Sequence, residues 1–548
     1  MFKKIFHQQI NSITVAAALV ALSSLFSRLL GIIRDRILAG QFGAGTNLDI
    51  YYAAFRVPDL IYNLIVLGAL SAGFVPIFTS LIKDFSCKGE KGCNPTDKNK
   101  GAWDLANNIL NIIFVGLVIL SVLGIIFAPL LTRLLTPGFG PEEQALTASL
   151  TRVMFLSPLF LGISGVLGGI LQSFKRFLIY SLAPIFYNLG IIIGALYFSS
   201  WWGLYGLAWG VALGAFLHMA VQIPSVYALG FRYRLKIFWH DFNTNKILKM
   251  MVPRTLSLAI SQINLVVITI IASGLSSGSL SVFNLANNLQ SFPIGIFGIS
   301  FAIAAFPSLS EAAFDKEKLT ARFSQTIRQI LFFIVPATVL IITLRAQIIR
   351  VVLGTGNFDW QDTILTMNTL GFFALSLFAQ ATIPLLVRVF YARRNSSIPF
   401  YLGLATVLVN IGLSFLFCKT MGVAGLALAF SIANILNFLL LWIWLYVAIG
   451  NLDISNILIS VLKFTASAIA AGLAAQIMKV VVWPFIDMTK FSGVFIQLAV
   501  SGTVGLLVYI FFCYLFKSEE LYGFISALKN RWPFKKVKID DQGEARGV

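Results

Sequence analysis

Long apolar runs recur along the chain and are separated by short polar breaks. Each run reaches the length of about 20 residues that a membrane-spanning α-helix needs, and none shows the short alternating pattern of a membrane β-strand. The pattern therefore predicts an all-α polytopic membrane protein with about 14 transmembrane helices. Their predicted limits, numbered as spans 1 to 14, are 12–40, 47–82, 104–131, 146–173, 177–199, 203–229, 247–274, 280–310, 324–353, 361–391, 396–418, 421–448, 455–479 and 491–516.

The composition agrees with this prediction. Only 11% of the 548 residues are charged and 58% are hydrophobic, whereas a soluble chain carries about 25% charged residues. This balance excludes an ordinary soluble enzyme, a disordered chain and a secreted disulfide scaffold. The four cysteines and three histidines leave little material for a metal site. Cys87 and Cys93 share a basic loop, where we expect free thiols in a reducing cytoplasm, with half a metal site as the alternative.

The Lys and Arg residues of the loops predict the orientation, because cytoplasmic loops retain positive charge. With the N-terminus inside, the inner segments hold 26 basic residues and the outer segments about 6. Both termini are therefore expected in the cytoplasm. Span 1 is expected to stay in the mature protein, since charges interrupt it and no signal-peptide cleavage site follows it. The basic run at 535–538 is expected to contact anionic lipid rather than nucleic acid.

The first twelve spans contain an internal repeat. The motif Gly-x-x-Gly-Leu-Ala occurs at 203–208 and again at 422–427. A repeat of six spans predicts two lobes related by a pseudo-twofold axis along the membrane normal, and hence transport by alternating access; the alternative is that each motif only permits close helix packing. The predicted units are an N-lobe (1–229, spans 1–6), a C-lobe (230–449, spans 7–12), an extra helix pair (450–516, spans 13 and 14) and a basic cytoplasmic tail (517–548).

Apart from four near the span ends that are counted with the loops (Lys249, Arg345, Arg350 and Lys479), nine basic residues fall inside the predicted spans. There a charge costs on the order of 3 kcal/mol and usually faces a wet cavity or an opposite charge. Span 1 stands out, because Arg28, Arg34, Asp35 and Arg36 lie within about three helical turns. Arginine binds phosphate through two parallel hydrogen bonds. The cluster therefore predicts an anion-binding site, with a structural ion pair between Arg34 and Asp35 as the alternative. Asp49, at the start of span 2, is a candidate partner for Arg34 or Arg36.

Several stretches resemble one known family. Residues 27–35 (SRLLGIIRD), 42–45 (FGAG), 55–58 (FRVP) and 68–76 (GALSAGFVP) are similar to the opening of the MurJ (MviN) lipid II flippases, and residues 291–298 (SFPIGIFG) extend the similarity into span 8. The resemblance implies the multidrug/oligosaccharidyl-lipid/polysaccharide exporter fold, with the last helix pair framing a groove for a polyprenyl tail. It further implies a transporter, not an enzyme, in the bacterial cytoplasmic (inner) membrane, whose substrate is lipid II or a similar polyprenyl-diphosphate glycolipid used in peptidoglycan biosynthesis.

The resemblance also assigns candidate substrate-binding residues. The family positions that carry over are Arg28, Arg34, Asp35 and Asp49. Two family arginines do not, since this chain has Tyr62 in span 2 and Asn288 in span 8. Either Arg56 and Arg254 substitute from nearby, or Asn287 and Asn288 donate uncharged hydrogen bonds, or the head group differs.

The driving force and the competing functions are open at this stage. No cofactor is expected, and the membrane potential or a monovalent cation gradient would supply energy. Thr406 and Asn410 in span 11 are cation-site candidates, with helix packing as the alternative. We expect a monomer in contact with membrane lipids. The competing functions are an exporter of another polyprenyl-linked glycan or a drug, a membrane glycosyltransferase, and a transport-inactive partner of cell-wall assembly.

Overall fold

The computed structural model describes residues 13–67, 73–84, 100–239 and 241–531. Within these ranges, helices are the only regular secondary structure. Each predicted span coincides with one helix or with successive helical segments. In order, the spans are Ile13–Phe42; Thr46–Tyr62, Asn63–Leu67 and Val75–Asp84; Lys100–Ile126; Pro141–Met154 and Leu156–Ser173; Phe177–Ile193, Gly194–Phe198 and Ser199–Trp202; Leu204–Ala220 and Ile223–Ala228; Phe242–Ser273; Ser279–Pro293, Ile294–Ile299 and Ser300–Glu311; Lys316–Val352; Trp360–Ala374 and Leu377–Ala392; Ser397–Met421; Val423–Ile449; Ile454–Val482 and Trp483–Phe485; and Phe491–Leu515. Two further helices occur in the described ranges, Ala128–Leu135, which begins at the end of predicted span 3, and Glu519–Arg531.

Ten helices in the described ranges are long and apolar enough to cross a membrane, or eleven if the two parts of span 10, bent by 45°, are counted as one. Spans 1, 2 and 7 are the helices that this count leaves out. The all-helical membrane fold is therefore confirmed, while the number fourteen stays a prediction. The loop with Cys87 and Cys93, which is predicted to be cytoplasmic, and the basic run at 535–538 lie outside the described residues.

The repeated motif has the same local structure in both halves. Gly203 and Gly422 have φ of 54° and 56°, a left-handed conformation that glycine adopts without steric cost, and each ends one helix and begins the next. Three residues later, a Cβ on Gly206 would lie 2.3 Å from the carbonyl carbon of Phe198, and a Cβ on Gly425 would lie 2.4 Å from the carbonyl oxygen of Phe417. Both glycines therefore permit a tight helical hairpin at spans 5–6 and 11–12.

Three buried apolar clusters describe how the helices pack. One cluster joins N-lobe residues such as Leu38 and Leu207 to C-lobe residues such as Phe283 and Leu426, and it occupies the half that the predicted topology places outside. The other two clusters occupy the predicted inner half and are separate. One combines N-lobe residues with Ile247 and Met251 of span 7, and the other lies in the C-lobe and span pair 13–14. The helices therefore share one core toward the outside and part into two cores toward the inside.

Loops at the predicted outer end also join the two lobes by hydrogen bonds. The backbone N–H of Asn357 donates to Gly40 O at 2.8 Å, and the N–H of Ala44 donates to the Asp362 carboxylate at 2.9 Å. Gly278 has a φ of 86°, and a Cβ at this position would lie 1.8 Å from Ala44 O. Only glycine fits there, so the backbones of the two lobes are in direct contact on this side.

Candidate substrate-binding site

A polar cavity of about 660 Å³ lies within the N-lobe, in the half that the predicted topology turns toward the cytoplasm. We call it the N-lobe cavity. Its described lining contains one arginine, one histidine and no carboxylate. It is lined by Ser24, Ser27, Arg28, Tyr62, Val66, Val75, Pro76, Ser164, Gly165, Gly169, Gln172, Tyr180, Ser181, Pro184, His218 and Gln222.

Arg28 reaches from the middle of span 1 toward span 8. Its Nη1 lies 3.4 Å from Ser291 O, a long and therefore weak hydrogen bond. Span 8 changes to a π-helical turn at Ile294–Ile299, and a Cβ on Gly295 within that turn would lie 2.2 Å from Arg28 Cζ. Gly295 thus leaves the space that the guanidinium fills. With five N–H donors and this single weak bond among the described contacts, Arg28 retains donors for an anion.

Arg34 and Asp35 form an ion pair beside the cavity. Arg34 donates through Nε and Nη2 to Asp35 Oδ1 at 2.9 and 2.7 Å, and through Nη1 to Asn188 Oδ1 at 3.2 Å. The other carboxylate oxygen of Asp35 accepts from Asn288 Nδ2 at 2.9 Å. Asn188 in turn lies 3.3 Å from the hydroxyl of Ser27, which lines the cavity. The network therefore connects span 8 to the cavity wall through buried and partly buried polar groups.

Asp49 and Arg36 lie apart from this network, at the outer end. The Asp49 carboxylate accepts the N–H of Gly278 and the N–H of Ser281, both at 2.7 Å, and the hydroxyl of Ser281 at 2.5 Å. It therefore caps the first turn of span 8 across the lobe boundary. The partner that the sequence suggested for it, Arg34 or Arg36, is not among its described contacts. Arg36 instead donates to Val351 O and Val352 O at the C-terminal end of span 9.

The remaining predicted residues are dispersed. Arg56 is buried between the lobes, where it donates to Thr269 Oγ1 at 3.1 Å and to Asn284 Oδ1 at 3.3 Å, and it does not line the N-lobe cavity. Asn287 accepts from Gln290 at 2.9 Å within span 8. The backbone of Arg254 belongs to span 7, and its side chain lies outside the described residues.

Sequence reasoning missed a polar group on the cavity wall. Ser164 Oγ in span 4 lies 2.6 Å from His218 Nδ1 in span 6 and also accepts from Gln222 Nε2. Gln222 Oε1 is buried and has no partner among the described residues. The available signal was the spacing of His218 and Gln222, four residues apart, which places them on one face of an otherwise apolar helix.

Thr406 and Asn410 line a second polar cavity, of about 300 Å³, between spans 7, 11 and 12. Asn410 Nδ2 donates to Asn264 Oδ1 at 2.7 Å. The side-chain oxygens of Asn410 and Asn437 are buried and lack a hydrogen-bond partner among the described residues. Amide and hydroxyl oxygens of this kind suit a hard cation. Over the described ranges, there is no cluster of three His, Cys, Asp or Glu side chains that could hold a metal ion.

An apolar groove of about 510 Å³ runs between span 13 and spans 9, 10 and 12. Its wall is formed by side chains such as Leu331, Phe378, Trp442 and Leu458. Span 14 contributes no residue to it among those described, so the groove involves one helix of the extra pair and not both.

Comparison with known protein sequences identifies the family of this chain. The sequence model of the family described as "Lipid II flippase MurJ" matches residues 38–517. The chain belongs to the MurJ lipid II flippase family. A probable lipid II flippase MurJ of Buchnera aphidicola is 31% identical over 428 residues, covering 77% of this chain and 81% of that protein. The lipid II flippase MurJ of Burkholderia cenocepacia is 28% identical over 434 residues, covering 77% and 81%.

Comparison with solved structures agrees with this family assignment. A lipid II flippase MurJ in an inward closed conformation superposes with a TM-score of 0.73 at 25% identity, over 91% of this chain and 98% of that one. An inward-facing MATE transporter of the MOP superfamily shares the fold with a TM-score of 0.62 at 18% identity, over 80% and 99%. The predicted family and the exporter-superfamily fold are confirmed. MurJ proteins are flippases, that is, membrane transporters, and the glycosyltransferase alternative is therefore discarded.

Proposed function

We propose that this protein moves lipid II, or a closely similar polyprenyl-diphosphate glycolipid, from the inner to the outer leaflet of the bacterial cytoplasmic membrane by alternating access. The observation that carries the proposal is Arg28, a guanidinium in a polar cavity whose described lining has no carboxylate. Membership of the MurJ family supports the substrate class.

The diphosphate binds to Arg28 by charge-assisted hydrogen bonds, which offset the desolvation of the polar head inside the membrane. The sugar and peptide groups meet the hydroxyl, amide and imidazole groups of Ser164, His218 and Gln222. Arg34 acts as a positioning residue in this conformation, because its nitrogens hold Asp35 and Asn188. Asn188 carries that constraint to Ser27 in the cavity wall.

The lobes rock about the outer half. A common apolar core and hydrogen-bonded loops at the outer end close the path to the periplasm. The inner cores are separate, and the inner end of span 7 packs with the N-lobe core, so the N-lobe together with span 7 parts from the rest of the C-lobe toward the cytoplasm. Both termini lie in the cytoplasm, and the substrate enters the cavity from that side in this state. Separation of the outer loops then releases it on the periplasmic side. The lipid tail stays outside the cavity, in the apolar groove beside span 13.

Energy for the return step comes from the membrane potential or from a monovalent cation. One charge that crosses about 100 mV gains about 2.3 kcal/mol. The cavity of Thr406 and Asn410 is the candidate cation site, since two buried amide oxygens there lack partners.

The test is an in-cell assay of lipid II exposure on the outer face of a flippase-depleted strain. Arg28→Ala should abolish exposure at normal expression, and Arg28→Lys should retain part, because lysine cannot form the bidentate pair. The matched control is Arg152→Ala, which removes an exposed arginine of span 4 that bonds to Ile125 O. Full activity of Arg28→Ala would refute the proposal.

A second candidate is transport of another polyprenyl-linked glycan. The observation that favours it is Tyr62, which lines the N-lobe cavity at a position where the family commonly has arginine. In this case wild type would fail to expose lipid II and yet would transport a different polyprenyl-diphosphate glycolipid in an Arg28-dependent manner. Failure with every such lipid would instead indicate the transport-inactive partner of cell-wall assembly.

A further inference from the structure

The segment between spans 6 and 7 forms a non-helical strap at residues 231–238, and asparagines of span 3 hold its backbone. Asn107 Nδ2 donates to Arg232 O at 3.1 Å and Asn107 Oδ1 accepts from Arg234 N at 2.8 Å. Asn111 Nδ2 donates to the carbonyls of Arg234 and Lys236, both at 2.9 Å. Side-chain amides thus satisfy backbone groups that lack a helix or strand partner. The strap is therefore fixed against the N-lobe.

Basic and apolar residues alternate along the strap. Arg232, Arg234 and Lys236 alternate with Tyr233 and Leu235 in the sequence, and Lys236 N–H donates to Arg234 O at 3.0 Å, so the strap turns at Leu235. All three basic residues are exposed. The acidic neighbour is Asp104, 4.0 Å from Arg234 and half exposed, so the ion pair is weak. The predicted topology places this positive row at the cytoplasmic membrane surface.

An apolar groove of about 400 Å³ begins beside the strap and runs between spans 3, 4 and 6. Leu110, Ile163 and Ile223 form part of its wall. Tyr227 belongs to the groove as well, and its ring centroid lies 3.6 Å from Arg232 Cζ. The cationic row and the apolar groove therefore share a side chain and form one continuous surface.

We infer that this surface binds one anionic phospholipid of the inner leaflet, with its phosphate on Arg232, Arg234 and Lys236 and one acyl chain in the groove. Charge complementarity selects the anionic class, because a zwitterionic lipid would leave the basic row without a net counter-charge. A soluble anion would leave the groove unfilled. Exposed Phe238 and Trp239 follow the row, as aromatic residues do at membrane interfaces. The strap connects the predicted lobes, so the lipid also anchors their junction to the bilayer surface.

Native mass spectrometry of the full chain in mild detergent tests the site, with phosphatidylglycerol and phosphatidylethanolamine as the probes. Wild type should bind phosphatidylglycerol more tightly. The triple variant Arg232→Gln, Arg234→Gln and Lys236→Gln should lose roughly 100-fold in affinity for phosphatidylglycerol and little for phosphatidylethanolamine. The double variant Arg234→Gln and Lys236→Gln should show most of this loss, and it leaves intact the bonds of Arg232 to Tyr227 O and Phe231 O, at 2.8 and 2.9 Å.

The control variant Lys246→Gln, Lys249→Gln and Lys316→Gln removes the same charge from exposed positions on the same predicted side. It should keep wild-type lipid binding, and an equal loss in both triple variants would overturn the inference. Ile223→Trp should weaken binding of both lipids, because it fills the groove from a side chain that is 43% exposed. Unchanged lipid binding in Ile223→Trp, or a dimer that this substitution dissociates, would also overturn it. These measurements do not depend on transport.

Discussion

The cap that Asp49 places on span 8 predicts how the outer closure responds to loss of one charge. Asp49→Asn keeps the shape of the side chain but replaces one acceptor oxygen by an amino group, which cannot accept. In the native protein Oδ2 accepts the N–H of Gly278, and Oδ1 accepts both the N–H and the hydroxyl of Ser281. In the variant at least one buried N–H loses its acceptor.

A lost hydrogen bond to a charged group costs about 1.5–3 kcal/mol, and a lost anion at a helix N-terminus costs about 0.3–1 kcal/mol more. Both losses fall on the closed state, because Asp49 belongs to span 2 and its donors lie at the start of span 8. The outer closure should therefore weaken by about 2–4 kcal/mol, on the order of 30- to 1000-fold in the equilibrium between closed and open outer ends.

The measurement is a pulsed EPR distance between spin labels at Glu142 and Lys419 in a cysteine-free background in nanodiscs. Both positions are exposed and lie at the predicted outer end, one in each lobe. Asp49→Asn should add a population at longer distance. Ser281→Ala removes only the hydroxyl donor and should give a smaller shift. Asp487→Asn is the control, since this exposed aspartate bonds to Thr489 within the loop between spans 13 and 14. A wild-type distance distribution in Asp49→Asn would refute the reasoning.

Two further predictions concern the neighbours of the arginine cluster. Gly295→Ala should reduce lipid II exposure by roughly 10-fold or more, because the new Cβ would displace the Arg28 guanidinium; Gly31→Ala, where nothing lies within 4 Å, is the control, and equal activity of the two variants would contradict it. Asn288→Arg should retain activity in the same assay, because the Asp35 oxygen that now accepts from the amide can accept from a guanidinium. Asn288→Asp should lower the melting temperature of the purified protein below that of Asn288→Arg, since it sets two carboxylates side by side. A higher melting temperature for Asn288→Asp than for Asn288→Arg would refute the pairing.

The fold could be predicted because its main signal is local. A membrane helix must be apolar over its own length, so each span is visible in its own residues. The breaks within helices were not visible. The π-helical turn after Pro293 and the 45° bend in span 10 depend on contacts with neighbouring helices. Gly298 in the π-helical turn is an example, because a Cβ there would lie 2.6 Å from Ala381 O in span 10.

The candidate site was predictable only in part. Arg28 stood out because a charge in an apolar span needs a polar surrounding, and the N-lobe cavity provides one. The partner of Asp49 was not predictable, since the N-terminus of span 8 lies about 230 residues away in sequence. The role of Arg56 as a bond between lobes, and the group formed by Ser164, His218 and Gln222, also depend on contacts between distant helices.

The sequence by itself determined that this is a helical membrane protein of the MurJ family, and it identified the charged residues that lie within otherwise apolar spans. The tertiary structure decided which of those charges face a cavity and which hold the lobes together. The physical reason is that hydropathy and helix period act over one or two turns, whereas an arginine becomes a ligand or a structural bond according to what other helices bring within about 3 Å of it.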